Sequence, residues 1–183
     1  MRLYGNFADT RRTVMKTRNK GITLIFDLDE TVINSSHRTP NNPDGTLNLA
    51  GYIANHNAAN VFMDTLLPLA RSMQQAIKQG YKVAILTARD MAWFDYDFLK
   101  AHGISPRHIY SRDKCRSQRH YKMSDGAYKV EWFNKLPPSL TANQHVVMFD
   151  DSKPVKAAMR AIGVTCLCAH KVNARLYAQE RCK

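Results

Sequence analysis

Acidic residues are the scarce class in this chain of 183. Fifteen Asp and Glu stand against 27 Lys and Arg, for a formal charge of +12. Such an excess raises the local concentration of polyanions and speeds their capture whatever the fold, which makes nucleic acid the first partner to consider. Cysteine is scarcer still. Cys115, Cys166, Cys168 and Cys182 are enough for two disulfides at most, and the opening MRLYGNFADTRRTVMKTRNK has no apolar signal core. A reducing, cytoplasmic setting is therefore expected. Cys166 and Cys168 share one face of a strand, but two further zinc ligands at plausible spacing are missing, so they read as buried thiols. No apolar run approaches the roughly 20 residues that span a bilayer. There is no GxxxxGK[ST] loop to cradle a nucleotide triphosphate, no internal repeat and no low-complexity tract.

What is present suits one compact domain: 44 % of the residues are hydrophobic, enough to close a core. The run ITLIF (22–26) lies between Gly21 and a burst of carboxylates and reads as a strand buried on both faces. Residues 34–60 are rich in Asn, Pro and Gly and read as a long loop with short elements, a small cap-like insertion. From Val61 the apolar spacing predicts a helix that stops at Gly80, and YKVAILT predicts a second strand. Helices over 91–102, 127–136 and 154–162 alternate with strands at HIYS, HVVMFD and VTCLCA. Such alternation predicts an α/β fold, a Rossmann-like doubly wound parallel sheet of about five strands with ligands outside the strands' carboxyl ends. Residues 1–20 read as a basic arm, 21–170 as the domain and 171–183 as a tail.

The chemistry gathers at those strand ends. Asp27 and Asp29 follow the first strand, and two residues of separation in an extended chain put both carboxylates on one side. Asp150 and Asp151 end the strand HVVMFD. Carboxylates brought into one crevice repel strongly in a low-dielectric site, which calls for a divalent cation, and oxygen-only ligands favour Mg²⁺. The second strand ends in Thr87, Ala88 and Arg89, a hydroxyl and a guanidinium suited to phosphate oxygens. Lys129, early in a helix, is placed to neutralise a transferred phosphoryl group, and Asp125 stands four residues before it.

The order DxDxT at Asp27 to Thr31, strand-terminal Thr87, helical Lys129 and the pair Asp150 and Asp151 resembles the four-motif signature of the haloacid dehalogenase superfamily, over residues 21–170. The resemblance implies a nucleophilic Asp27, a general acid/base Asp29 and phosphate held by Thr87 and Lys129. It further implies Mg²⁺ held by Asp27, the backbone carbonyl of Asp29, and Asp150 or Asp151. Arg38 nine residues after Asp29, the T-x-R strand end at Arg89, Asp125 four before Lys129, and RAIGV at 160–164 are similar to the 3′-phosphatase domain of bacteriophage polynucleotide kinase/phosphatase. That likeness implies phosphatase-site roles for Arg38, Arg89 and Asp125, without the kinase half, and a host cytoplasm if the gene is phage-borne.

For the substrate, residues 107–122 pack six Lys and Arg with His108, His120, Tyr110 and Tyr121, a composition that suits a phosphate backbone and stacked bases. A solvated charged loop is the plainer account. Arg11, Arg12, Lys16, Arg18 and Lys20 extend the basic path. The first expectation is removal of 3′-phosphates from nucleic acid ends. The alternative is a 5′(3′)-nucleotidase on free nucleotides, with residues 34–60 as a lid. A phosphoserine protein phosphatase ranks third, and a nucleic-acid binder on a retired scaffold comes last. Trp93, Phe94, Tyr96 and Phe98 read as core packing rather than as a base-stacking box. His56, His102, His145 and His170 have no metal-ligand spacing and read as structural.

Overall fold

The computed structural model describes residues 21–112 and 118–182. The basic arm 1–20 and the central part of the 107–122 tract, Cys115 included, lie outside the described residues. In chain order, β1 (Ile22–Phe26) leads into an insertion containing β2 (Ile33–Asn34), a single 3-10 turn (Ser36–Arg38), α1 (Leu49–Asn55), α2 (Ala58–Val61) and β3 (Thr65–Leu66). There follow α3 (Pro68–Lys78), β4 (Lys82–Leu86), α4 (Trp93–Ala101), β5 (His108–Tyr110), α5 (Gln118–Lys122), α6 (Asp125–Asn134) and α7 (Pro138–Thr141). The chain closes with β6 (His145–Asp150), α8 (Lys153–Ala161), β7 (Thr165–Cys168) and α9 (Ala169–Arg181).

The five long strands form one parallel sheet in the order β5-β4-β1-β6-β7. The chain runs outward from β1 through β4 to β5, then returns to the other side of β1 for β6 and β7. The strand order thus reverses between β1 and β6, and a crevice opens there beyond their carboxyl ends. Continuous apolar strands suit this arrangement because both faces are covered. Leu24, Phe26, Val83 and Ile85 point into a core closed by Leu69 and Met73 of α3, Phe98 of α4, and Val172 and Leu176 of α9. The alternating residues Ile25, Ala84, Leu86 and Met148 meet Val155 and Met159 of α8 on the opposite face.

Two segments differ from their sequence reading, and the short elements expected in a third become definite. The helix predicted from Val61 begins only at Pro68, which occupies its first turn behind an extended Leu67. Proline disfavours helical backbone in the residue before it and lacks an N–H for a helix arriving from upstream. Residues 65–66 are thereby free to pair antiparallel with β2. Within the segment read as a loop, Asn48 and Asn57 cap α1 and α2, each side chain accepting a backbone N–H of the first turn. The segment read as a tail is largely α9, which buries Ala169, Val172, Asn173 and Leu176 at helical spacing. The aromatic cluster also divides: Phe98 is buried, Phe94 and Tyr96 pack against the core, and Trp93 is 66 % exposed. Among the described residues no helix is long and apolar enough to cross a membrane.

Asn173 staples α9 to the site-bearing half of the molecule. Its Oδ1 accepts from Leu69 N at 2.8 Å and its Nδ2 donates to Thr31 O at 3.0 Å, all buried. Asn173→Ala leaves two buried backbone groups unpaired, and chemical denaturation should show a loss of about 2–3 kcal/mol; unchanged stability would mean that water or a shifted chain satisfies both groups.

Candidate active site

Parallel pairing sets Phe26 opposite Phe149, their rings stacked at 4.9 Å, and Asp27 N donates to Phe149 O at 3.0 Å. Asp27 therefore leaves β1 beside Asp150, the last residue of β6. Carboxylate oxygens of Asp27, Asp150 and Asp151 all lie within 4.8 Å of one another. Lys129 reaches between them from α6: its Nζ is 2.9 Å from Asp27 Oδ1 and 2.7 Å from Asp150 Oδ2. Gly126, one turn earlier, lets α6 approach α8 closely, since a Cβ there would sit 3.2 Å from Ala158 Cβ. Asp150 Oδ1 accepts Ser152 N at 2.9 Å, and Ser152 in turn caps α8. One ammonium against three carboxylates leaves net negative charge in an oxygen-only site, and these residues fit a hard divalent cation.

Burial pushes the Asp27 carboxyl up to about 7; Lys129 opposes the shift, and Asp150, Asp29 and Asp151 add to it. Asp151 is raised by burial and by the Asp150 charge. Burial disfavours the Lys129 ammonium, yet Asp27 and Asp150 outweigh it and raise its pKa. Thr87 is buried at the carboxyl end of β4, its N–H on Tyr110 O at 2.9 Å and its hydroxyl accepting Arg89 N at 3.2 Å.

The side chain of Asp29 belongs to a second group. The turn that carries it bends back at once: Leu28 O accepts the N–H groups of Thr31, Val32 and Ile33, and Glu30 adopts a left-handed φ of 51°, the kind of local strain that clusters at functional sites. Arg89 Nε donates to Asp29 Oδ2 at 3.0 Å and a second guanidinium nitrogen to Oδ1, while Ser35 Oγ donates to Oδ1 at 2.6 Å. Burial works against the charge on Asp29, but Arg89, Ser35 and Arg38 hold the carboxyl well below the ordinary carboxylate range.

Each arginine has a principal further carboxylate, and Arg89 also stands 3.7 Å from Asp64, the partner of Arg38. Arg89 donates to Asp95 Oδ1 at 2.6 Å, and the other oxygen of Asp95 is 2.8 Å from His56 Nε2. Arg38, 1 % exposed, makes a two-pronged contact with Asp64 at 2.9 Å on both bonds and stands 4.0 Å from Asp29. Among the described residues Arg38 Nη1 is buried without a hydrogen-bond partner. The structure thus brings Asp27, Lys129, Asp150 and Asp151 into one cluster and Asp29, Arg38 and Arg89 into its neighbour. Asp64, Asp95 and His56 complete the second cluster without any spacing signal to mark them. The sequence pointer to Asp64 and Asp95 is indirect: a buried arginine requires a buried carboxylate, and which one is decided across 26 residues for Arg38.

Asp125 joins neither cluster in the contacts described. At the start of α6, its carboxylate accepts from Arg112 at 2.7 Å, and its side chain is 59 % exposed. Arg112 is itself buried, donating also to Ala88 O at 2.9 Å. Arg119 and His120 both pair with Glu131, at 3.0 and 2.9 Å. Part of the basic tract therefore serves the fold rather than a free surface.

The family model described as Bacteriophage T5 5′-deoxynucleotidase matches residues 15–183. The chain belongs to that family. The curated 5′-deoxynucleotidase of Escherichia phage T5 is 33 % identical over 168 residues, 82 % of this chain and 68 % of the relative. Among solved structures, a chain of the Pnkp1/Rnl/Hen1 RNA repair complex superposes with a TM-score of 0.59 at 24 % identity, over 81 % of this chain but only 42 % of its own length. A haloacid dehalogenase-like hydrolase of Streptococcus pneumoniae gives 0.55 at 17 % identity, covering 80 % and 83 % of the two chains. The magnesium-bound HAD-hydrolase YfnB of Bacillus subtilis gives 0.54 at 13 %, covering 80 % and 87 %. The fold is that of the haloacid dehalogenase superfamily, and this member of the T5 family is a phosphoric monoester hydrolase. The narrower likeness to a polynucleotide 3′-phosphatase gives way to the nucleotidase family, with the RNA repair chain sharing the fold.

Two predictions follow from the charges. In the metal-free protein Asp27 keeps its proton to about pH 7 when folded but only to about 4 when unfolded. Its contribution to stability is full below about pH 4 and lost as pH rises through 7; Asp29 runs oppositely, losing its contribution only in stronger acid. Between about pH 5 and 7 the metal-free melting temperature should fall, and Mg²⁺ should raise it more at the top of that window than at the bottom; equal Mg²⁺ effects at both ends would contradict a protonated, buried Asp27. Asp64→Leu strands the Arg38 guanidinium, and urea unfolding should register about 3 kcal/mol of destabilisation, a value near zero being incompatible with a buried pair.

Proposed function

We propose that the protein removes the 5′-phosphate of free deoxynucleotides through an aspartyl-phosphate on Asp27. The observation that carries this reading is the pairing of Asp27 with Lys129 beside Asp150 and Asp151, next to a separate acid/base carboxylate on Asp29. Membership of the T5 5′-deoxynucleotidase family favours free nucleotides over nucleic acid ends. The insertion sets Arg38 4.0 Å from Asp29 and His56 2.8 Å from Asp95, so its residues stand beside the acid/base carboxylate.

The chemistry is two in-line displacements. Asp27 attacks phosphorus, the bond to the sugar oxygen breaks, and Asp29 delivers a proton to that oxygen. Water then attacks the aspartyl-phosphate while Asp29 takes its proton, releasing inorganic phosphate and restoring Asp27. Lys129 and the Thr87 hydroxyl hold phosphoryl oxygens. Asp27, Asp150 and Asp151 would hold a Mg²⁺ ion, which when bound would supply the positive charge that offsets repulsion between nucleophile and substrate dianion. Asp29 starts ionised against Arg89. A phosphate competing for that guanidinium loosens its hold and raises the proton affinity of Asp29, which takes up a proton from solvent as the substrate binds and so carries one to deliver to the leaving oxygen. General acid/base help of this kind contributes about 10²–10⁴ in rate.

The test is phosphate release with Mg²⁺ from 5′-deoxynucleotides beside a 3′-phosphorylated oligonucleotide, with Asp27→Asn as the blank. Preferred turnover of the nucleotides is expected, together with no turnover in the blank and a loss of about 10²–10³ in Lys129→Met. Preferred turnover of the oligonucleotide would restore the end-repair reading, and an active Asp27→Asn would end the covalent mechanism.

A further inference from the structure

The leaving nucleoside has to depart on the side of Asp29, because that carboxyl protonates its oxygen. A continuous row of rings begins there. The Arg38 guanidinium, 4.0 Å from Asp29, lies over the Tyr52 ring at 5.8 Å. Tyr52 is parallel to His56, with centroids 6.2 Å apart and an interplanar angle of 8°. His56 meets Phe94 edge-on at 5.1 Å, and Phe94 meets Trp93 edge-on at 5.5 Å. The row thus runs from a buried arginine to an indole that is 66 % exposed. It is also tied to the chemistry, since Asp95 holds His56 with one oxygen and Arg89 with the other. Core packing explains Phe94, which lies against the main cluster, but it does not explain a tryptophan left in solvent at the first residue of α4.

We propose that this row is the nucleobase subsite of the nucleotidase, with Tyr52 beside the nucleoside sugar and Trp93 covering the base. The inference rests on the nucleotidase reading and adds where the base is bound. Stacking on aromatic faces accepts any base, because each presents a π-face. The subsite therefore takes purine and pyrimidine nucleotides alike, and it fits a single nucleotide whose base turns outward along the insertion.

The experiment compares kcat/KM for dAMP with that for 2-deoxyribose 5-phosphate, which carries the same reacting group but no base. In Trp93→Ala the preference for dAMP should shrink about tenfold, mostly through KM, and Trp93→Phe should keep most of it. In the inactive Asp27→Asn background with Mg²⁺, dAMP should quench tryptophan fluorescence, and the quench should disappear in Asp27→Asn/Trp93→Phe. A preference and a quench both indifferent to residue 93 would overturn the subsite and leave the nucleotidase standing. A wild-type enzyme that turns over 2-deoxyribose 5-phosphate as well as dAMP would instead overturn the nucleotidase reading, and the subsite with it.

Discussion

Asp27 and Asp150 cannot avoid one another. Parallel pairing of β1 with β6 delivers both to neighbouring strand ends, and the hydrogen bond from Asp27 N to Phe149 O fixes the register. Two buried carboxylates at that separation, with Asp151 close by, are tenable only with positive charge between them or a proton on one of them. Lys129 supplies part of it. Its reach depends on α6 lying tight against α8, and that closeness depends in turn on Gly126 having no side chain. The charge still uncompensated is what makes the site suited to a divalent cation and to a phosphate dianion together.

The second cluster solves a similar problem by a different route. Asp29 is kept ionised by Arg89 and approached by Arg38, and each guanidinium is balanced by a further carboxylate, Asp95 or Asp64. These pairs join the insertion to the body of the domain. Helix α1 buries none of its residues, so its position owes little to a core of its own. It is held by contacts such as the Arg38 guanidinium over Tyr52 and His56 on Asp95. The same polar network that sets the protonation of Asp29 therefore orients the insertion, and a change on either side is felt on the other.

The parallel α/β sheet was legible because its strands are short, apolar on both faces and separated by helices of clear periodicity, as ITLIF and HVVMF illustrate. Asp27, Asp29, Thr87 and Asp150 were legible for a related reason: each stands at a strand end, and a parallel sheet gathers its carboxyl ends on one edge. Lys129 needed the family resemblance as well, since an isolated lysine on a helix carries no signal of its own. Helix α9 was missed although its buried positions repeat at helical spacing, because its basic, polar composition resembles an exposed tail until Leu69 and Thr31 are seen to need Asn173.

By itself the sequence determined the sheet, its reactive edge and the carboxylates that meet there, because these follow from local patterning and the geometry of parallel strands. Only the tertiary structure decided that Asp29 faces arginines rather than the Asp27 cluster, that Asp64 and Asp95 balance those arginines, and that Trp93 stands apart from the core. Buried charges choose partners by distance in space. Residues as far apart as Asp29 and Arg89, or His56 and Asp95, meet only after the sheet and its insertion have closed.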